Sequence, residues 1–349
     1  MAPPEPERLV QPGLLQRLMP LVVLLGAVGF VVIAPRNPVN WMFGAMFALS
    51  TVGMLVAGTG STTGSARTAR IDEERRDYLR GLAETRAEVR TVTAQQRAAA
   101  EAVHPDPAAW PEVLAAGRLW ERRLADDDFG NVRIGCGVQR LATRLIAPQA
   151  GPPERIEPIA TAALRRFLRA HSVVPDLPVA LSLRASSTVW LESERTDLVP
   201  ARALARAVVA QYALWHGPDE ALLAVVAGPR ALPEWEWTKW LPHVEHRRRR
   251  DAIGPLRMIT GSTDEVRRWW LTELTGRPPG PGAGDPHLLL VVDGVAEGLG
   301  PWAGVAGVTV LRVGAPPGRR AGPTVVRLRV GPGTLERAGT GEDEGAAPV

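Results

Sequence analysis

Thr188-Val189-Trp190-Leu191-Glu192 is followed by Ser193-Glu194-Arg195-Thr196-Asp197-Leu198-Val199-Pro200, and then by an alanine-rich run ending in Tyr212-Ala213-Leu214-Trp215. The first five residues read as a strand, rich in β-branched and aromatic side chains. Leu198–Trp215 reads as a helix. Strand, short loop and helix form the repeating unit of α/β sheets. In a nucleotide-binding domain, a loop in this place is glycine-rich and ends in Lys-Ser or Lys-Thr. Its backbone amides cradle phosphates and the lysine holds the terminal ones. Here the loop has no glycine and no lysine, and its two carboxylates repel phosphate. Glu194, Arg195, Thr196 and Asp197 thus stand at a phosphate-loop position without its chemistry.

Working outward, the alternation continues. Strands are expected at Val132–Val138, Val179–Arg184, Leu222–Ala227, Leu256–Thr260, Leu288–Asp293, Val308–Val313 and Thr324–Val330, and helices at Ile156–His171, Glu234–Trp240 and Thr263–Leu274. Leu222–Ala227 and Leu288–Val292 are continuous apolar runs, the pattern of parallel strands buried on both faces. The expectation is an α/β sheet covered by helices. Asp293 ends one of these strands, as does the magnesium-holding acid of phosphoryl-transfer enzymes. It is equally well placed to open a turn with Gly294.

Toward the N-terminus, Leu18–Ala34 and Val39–Ala57 are apolar runs separated only by Pro35-Arg36-Asn37-Pro38. A bilayer core takes about 20 apolar residues as helix. The first run reaches that length with Leu14 and Leu15, since Arg17 can snorkel, and the second starts at an interfacial Trp41. We read a two-helix transmembrane hairpin. Arginines flank it on both outer sides (Arg8 and Arg17 before, Arg67, Arg70, Arg75 and Arg76 after), with only Arg36 in the turn. The positive-inside rule then puts both termini in the cytoplasm. Gly44, Ala48, Gly53 and Ala57 lie near one helix face, where another helix can approach, either the first of the pair or one from a foreign subunit. No acidic residue interrupts either run, which argues against an ion pathway.

Gly58–Ser65 reads as a flexible linker. Ala66–Val103 reads as one charged helix, with pairs expected at Asp72/Arg76 and Arg80/Glu84. Its narrow apolar stripe (Ile71, Tyr78, Leu82, Val89, Val92) suits a stalk or a coiled-coil contact. His104-Pro105-Asp106-Pro107 ends it. The expected organisation is a tail over 1–13, the hairpin over 14–57, the linker over 58–65, the stalk over 66–103, an α/β domain over 104–335 and a disordered tail over 336–349.

The chain has 349 residues and a net charge of +4, spread out and mild, which does not point to nucleic acid. Its single cysteine, Cys136, allows no internal disulfide and has no local base to make it a nucleophile. His243 and His246 are three apart, lack a third ligand and precede Arg247–Arg250, so no metal site is expected. The arginine run reads as a solvated loop, or as a contact to anionic lipid or an acidic subunit. Trp235, Trp237 and Trp240 read as core rather than a binding platform.

Several stretches carry a family likeness. Arg36-Asn37-Pro38, Trp41-Met42-Phe43-Gly44 and Ser50-Thr51-Val52-Gly53-Met54-Leu55 resemble the membrane hairpin of EccC proteins, the FtsK/SpoIIIE-type ATPase components of actinobacterial type VII (ESX) secretion systems. The likeness runs on through Arg75-Arg76-Asp77-Tyr78-Leu79-Arg80, His104-Pro105-Asp106-Pro107, Leu119-Trp120-Glu121-Arg122-Arg123 and Asp128-Phe129-Gly130-Asn131-Val132-Arg133. It includes Gln139-Arg140-Leu141-Ala142-Thr143 and His171-Ser172-Val173-Val174-Pro175-Asp176-Leu177-Pro178, and is most distinctive at Glu234-Trp235-Glu236-Trp237-Thr238-Lys239-Trp240-Leu241-Pro242-His243.

The resemblance implies the membrane, stalk and first-domain portion of an inner-membrane motor. The α/β domain would be a degenerate P-loop, FtsK-like ATPase domain. Its partners would be EccB, EccD and EccE, with intact ATPase domains supplied in trans, in an oligomeric complex. No G-x-x-x-x-G-K-[ST] occurs in the chain, so no catalytic residue is expected, and ATP with magnesium would lack its usual cradle. Asp293 is the one candidate for magnesium. The expected role is structural: coupling the membrane complex to the motor for protein export. Two alternatives stay open, a weak nucleotide-binding ATPase domain and a membrane-anchored α/β sensor or assembly factor.

Overall fold

The computed structural model describes residues 42–43, 45–46, 49–50, 62–148, 157–193, 197–295, 304–314 and 324–338. The expected membrane hairpin lies outside these, apart from six helical positions, and Gly44, Ala48, Gly53 and Ala57 are not among the described residues. Among the described residues no helix is long and apolar enough to cross a membrane.

The chain divides into two compact units. The first takes the described residues up to Thr93 together with Leu141–Val173; the second takes Ala94–Arg140 and the described residues from Val174 on.

Helix α1 spans Thr62–Val103, starting inside the stretch read as linker. In the first unit its expected stripe faces inward: Tyr78 and Val89 are buried, and Ile71, Leu82 and Val92 are half-buried. The surface pairs fall one residue short of those expected. Asp72 meets Arg75 at 3.0 Å rather than Arg76, and Arg80 meets Asp77 at 2.7 Å rather than Glu84. Spacings of three and four are both neighbours on a helix, and rotamers choose between them. The same Arg75 reaches Glu157 at 2.9 Å. Glu157 also caps the helix Pro158–His171 through the Ala160 amide.

The second unit begins with the short helix α2 (Trp110–Ala115) and a two-stranded sheet of β1 (Asn131–Arg140) and β2 (Val173–Ser182). We number Pro158–His171 α3. There follow β3 (Thr188–Ser193), α4 (Val199–Trp215), β4 (Ala221–Ala227), a 3-10 helix (Leu232–Trp240), β5 (Glu245–Arg250), β6 (Pro255–Arg257), β7 (Ile259–Thr260), α5 (Thr263–Leu274), β8 (His287–Asp293), β9 (Val308–Val313), β10 (Val325–Gly331) and β11 (Thr334–Arg337).

The main sheet has seven strands in the order β11-β10-β3-β9-β8-β4-β7, parallel throughout except for the antiparallel edge strand β11. β4 and β8 are buried at every position, as their unbroken apolar runs required. Alternation divides them between two cores. Leu223, Val225, Leu289 and Val291 pack on one face with Val208, Tyr212 and Trp235, while Leu222, Val226, Leu290 and Val292 pack on the other with Met258, Val266 and Trp270.

Four expectations need correction. Val173–Pro178 belongs to β2 although it holds two prolines; at the edge of a two-stranded sheet the missing N–H groups cost no ladder bond. The arginine run is strand β5, paired antiparallel with β6. Leu256–Thr260 is broken at Met258, which is fully buried and bonds to Val244 on one side and Val225 on the other. Trp240 is not core: it is 77% exposed, whereas Trp235 is buried.

At the start of β8 a buried polar cluster is closed on itself. The Thr309 hydroxyl donates to the Leu183 carbonyl (2.6 Å), so His287 Nε2–H donates to Thr309 Oγ1 (3.2 Å), while the Tyr212 hydroxyl lies between His287 Nδ1 (2.8 Å) and the His287 carbonyl (3.1 Å). His216 accepts the Gly130 N–H at Nε2 (2.9 Å) and donates from Nδ1 to the Tyr212 carbonyl (2.8 Å). The His216 pattern requires a neutral imidazole. Burial pushes His216 down to about 4 and His287 to about 3.

Candidate functional site

The carboxyl ends of β3 and β8 define the place to look. From β3 the chain leaves through α4 to β4, beyond β9 and β8; from β9 it crosses to β10 on the other side of β3. From the adjacent strands β8 and β4 the chain leaves in opposite directions, to β9 and to β7, which makes their carboxyl ends a topological switch point, and open α/β sheets bind ligands in the crevice there. The first turn of α4 reaches the end of β8 through Arg202. Glu194, Arg195 and Thr196 lie outside the described residues. Asp197 is described, and its Oδ1 accepts the Val199 N–H at 2.9 Å. It therefore serves as a local cap for α4, a use the loop reading did not foresee.

Asp293 ends β8, where it was expected, and has no exposed surface. Its carboxylate is fully engaged. Arg202, in the first turn of α4, donates from Nε to Oδ2 at 2.8 Å and from Nη2 to Oδ1 at 3.1 Å. The Trp235 indole N–H donates to Oδ2 at 3.0 Å. The Arg202 pKa is raised first of all by the hydrogen bond it donates to Asp293; burial opposes this, and the charges of Asp293, Glu234 and Asp197 reinforce it. Below, the Asp293 carbonyl accepts the Gly228 N–H at 2.8 Å, and Gly294 turns the chain with φ of +69°. Asp293 thus starts a turn with Gly294, while its side chain pairs with Arg202 in the first turn of α4.

Neighbouring charges are paired in the same style. Glu192 on β3 accepts from Arg327 Nε on β10 at 2.7 Å, and Arg206, one turn beyond Arg202, pairs with Glu234. Magnesium takes oxygen ligands in near-octahedral geometry and keeps several waters. A carboxylate sealed from solvent, with two guanidinium N–H groups and one indole N–H on it, does not present that oxygen face. The residues described here do not fit a magnesium–nucleotide complex in this arrangement.

Arg202 is the member of this group that the sequence reading missed. It is one of several arginines in an alanine-arginine helix, 91 residues from its partner; only the fold joins them. The histidine pair after the tryptophan motif does not converge either. His243 Nε2 donates to the His216 carbonyl at 2.7 Å, and His246 Nε2 to the Trp269 carbonyl at 3.2 Å.

No protein-family model matches the chain. Among known proteins it is 38% identical over 339 residues to the ESX secretion system protein EccC of Thermomonospora curvata, covering 95% of this chain and 26% of that protein. To the ESX-4 secretion system protein EccC4 of Mycobacterium tuberculosis it is 35% identical over 333 residues, covering 93% of this chain and 25% of the relative. The ESX-1 secretion system protein EccCa1 of the same species is 31% identical over 282 residues, 78% of this chain and 35% of the relative. The chain therefore spans about a quarter to a third of the length of these curated relatives. Along nearly its whole length, it is a homologue of part of the EccC proteins of ESX type VII secretion systems.

Proposed function

We propose that this chain is a membrane-anchoring and assembly part of an ESX secretion motor, with an α/β domain that does not hydrolyse ATP. The observation that carries the proposal is the Arg202–Asp293–Trp235 cluster. The one acid placed to hold a metal is bound by a guanidinium from the helix that would otherwise point its N-terminus at phosphate. The loop before that helix, with no glycine and no lysine, supports the same reading. In this proposal the apolar runs 18–34 and 39–57 anchor the chain in the inner membrane with both termini cytoplasmic. Its partners are the other ESX membrane subunits, EccB, EccD and EccE, and ATPase domains supplied in trans.

A second reading draws support from the sheet, whose strand–loop–helix order and switch point are consistent with a P-loop-like ATPase. It makes the domain a weak nucleotide binder. One experiment separates the two: titration calorimetry of the full chain in neutral detergent with magnesium–ATP at millimolar concentration, alongside phosphate release. The proposal expects neither heat nor turnover. Binding that disappears in Asp293→Asn would overturn it in favour of the second reading.

A further inference from the structure

The β5–β6 hairpin carries more positive charge than the fold neutralises. Between Glu245 and Arg257 there are five arginines (Arg247, Arg248, Arg249, Arg250 and Arg257) against two carboxylates, Glu245 and Asp251. Asp251 shapes the turn: its Oδ1 accepts the amides of Ile253 (2.8 Å) and Gly254 (2.9 Å). Arg247 and Arg248 meet Asp285 and Glu273 only loosely, each at 3.8 Å. Arg249 donates to a backbone carbonyl, that of Arg268, at 2.7 Å. Arg250, which enters the turn opposite Pro255, and Arg257, opposite Glu245 at the base of the hairpin, are exposed and make no ion pair within 4.0 Å among the described residues, although, after the Ile253 and Gly254 amides, the Arg257 charge helps to lower the Asp251 pKa. The tip itself presents Ile253, which is 99% exposed.

We propose that this hairpin docks on a bilayer bearing anionic headgroups, with its guanidinium groups at phosphate level and Ile253 in the acyl boundary. Arginine suits the first part, since its planar fork pairs with phosphate and is weakly hydrated. The isoleucine decides for a membrane over an acidic protein. An acidic segment would engage the arginines and leave Ile253 in water, whereas an interface accepts both an apolar tip and a basic ring. The turn that Asp251 braces holds the apolar tip and the guanidiniums on one protrusion. The inference concerns the hairpin alone and does not depend on the apolar runs being the anchor.

The test uses the full chain with Cys136→Ser and Ile253→Cys, labelled at residue 253 with a polarity-sensitive fluorophore and reconstituted into vesicles containing brominated phosphatidylcholine. One set is otherwise neutral; the other holds three parts in ten phosphatidylglycerol. Flotation reports the anchor, and the dye reports the tip. A blue shift with bromine quenching is expected in the anionic vesicles only, reversed by high salt. Near an anionic surface each basic residue contributes about fivefold in partitioning, so Arg250→Ser with Arg257→Ser should lower tip engagement about 25-fold. A dye that stays water-exposed in anionic vesicles, as it would if an acidic protein were the occupant, overturns the proposal. So does equal quenching in neutral vesicles, or a double variant that behaves like its parent while its circular dichroism shows it folded.

Discussion

Acidification should weaken the α/β unit already above the pH at which most of its carboxylates protonate. His216 and His287 are held neutral in the core, at about 4 and about 3, while in the unfolded chain each returns to the ordinary value of 6.5. Between those limits the unfolded state binds more protons than the folded one, so stability falls as pH falls. At pH 5 each imidazole favours the unfolded chain by about 2 kcal/mol, or about 4 kcal/mol for the two, against a typical total of about 5–15 kcal/mol. The contribution is intact at pH 8, begins to be lost near 6.5 and keeps falling down to the folded values. His243, also depressed by burial, acts in the same direction. Urea denaturation of the full chain in neutral detergent, followed by tryptophan emission at pH 8 and pH 5, measures this. Every tryptophan except Trp41 lies at position 110 or beyond, so the signal reports the α/β unit. His104, depressed to about 4 chiefly by burial, adds to this, so His216→Gln should remove about 2 kcal/mol of the difference between pH 8 and pH 5 rather than all of it. Stability that stays level between pH 8 and pH 5, or a slope untouched by that substitution, would refute the reasoning.

Three further outcomes are expected. Arg202→Ala leaves the Asp293 carboxylate buried without its partner and should cost about 3–5 kcal/mol in chemical denaturation, whereas Trp235→Phe, which removes one donor, should cost about 1–2 kcal/mol plus a packing loss. Arg122 is 2% exposed; it donates to the carbonyls of Asn131 (2.7 Å) and Val103 (2.6 Å) and lies 4.6 Å over the Trp215 ring. Arg122→Lys cannot reproduce that fork and should lower the thermal midpoint by several degrees, a loss of about 2–3 kcal/mol. A Cβ at Gly228 would meet the Gly294 carbonyl oxygen at 2.5 Å, so Gly228→Ala must move the turn that follows Asp293 and should cost about 1–3 kcal/mol in the same measurement.

Most of the sheet was legible because burial on both faces leaves a plain signature. Leu222–Ala227 and Leu288–Asp293 are apolar without a break, and such runs have few alternatives. Strands that depend on a partner for their character were not legible. Glu245–Arg250 has nothing strand-like in composition; antiparallel pairing with β6 makes it one. Val173–Ser182 was half missed because its prolines are penalised in a central strand but tolerated at an edge. At the candidate site the loop could be read as lacking a phosphate cradle, and Asp293 could be placed at a strand end. That Arg202 would close over it could not be read, since arginine on a helix gives no sign of which distant acid it will meet. Trp240 shows the converse error: tryptophan predicts burial on average, yet this one stands in solvent beside Lys239.

The interleaved strand order has a consequence for how the chain comes to fold. β3 pairs with β9 and β10, so Thr188 waits for Val310 on one side and Val325 on the other. At ribosomal speeds of about 5–20 residues per second, the roughly 120 intervening residues take about 6–25 s to emerge. Through that interval β3 has made its turn into α4 but has neither neighbour, and both of its edges are open to the wrong partner. β9, synthesised late, closes the centre of the sheet, and β10 and β11 then complete one rim. A ribosome stalled before β9 would leave a chain in which β4 and β8 can pair but β3 has no neighbour.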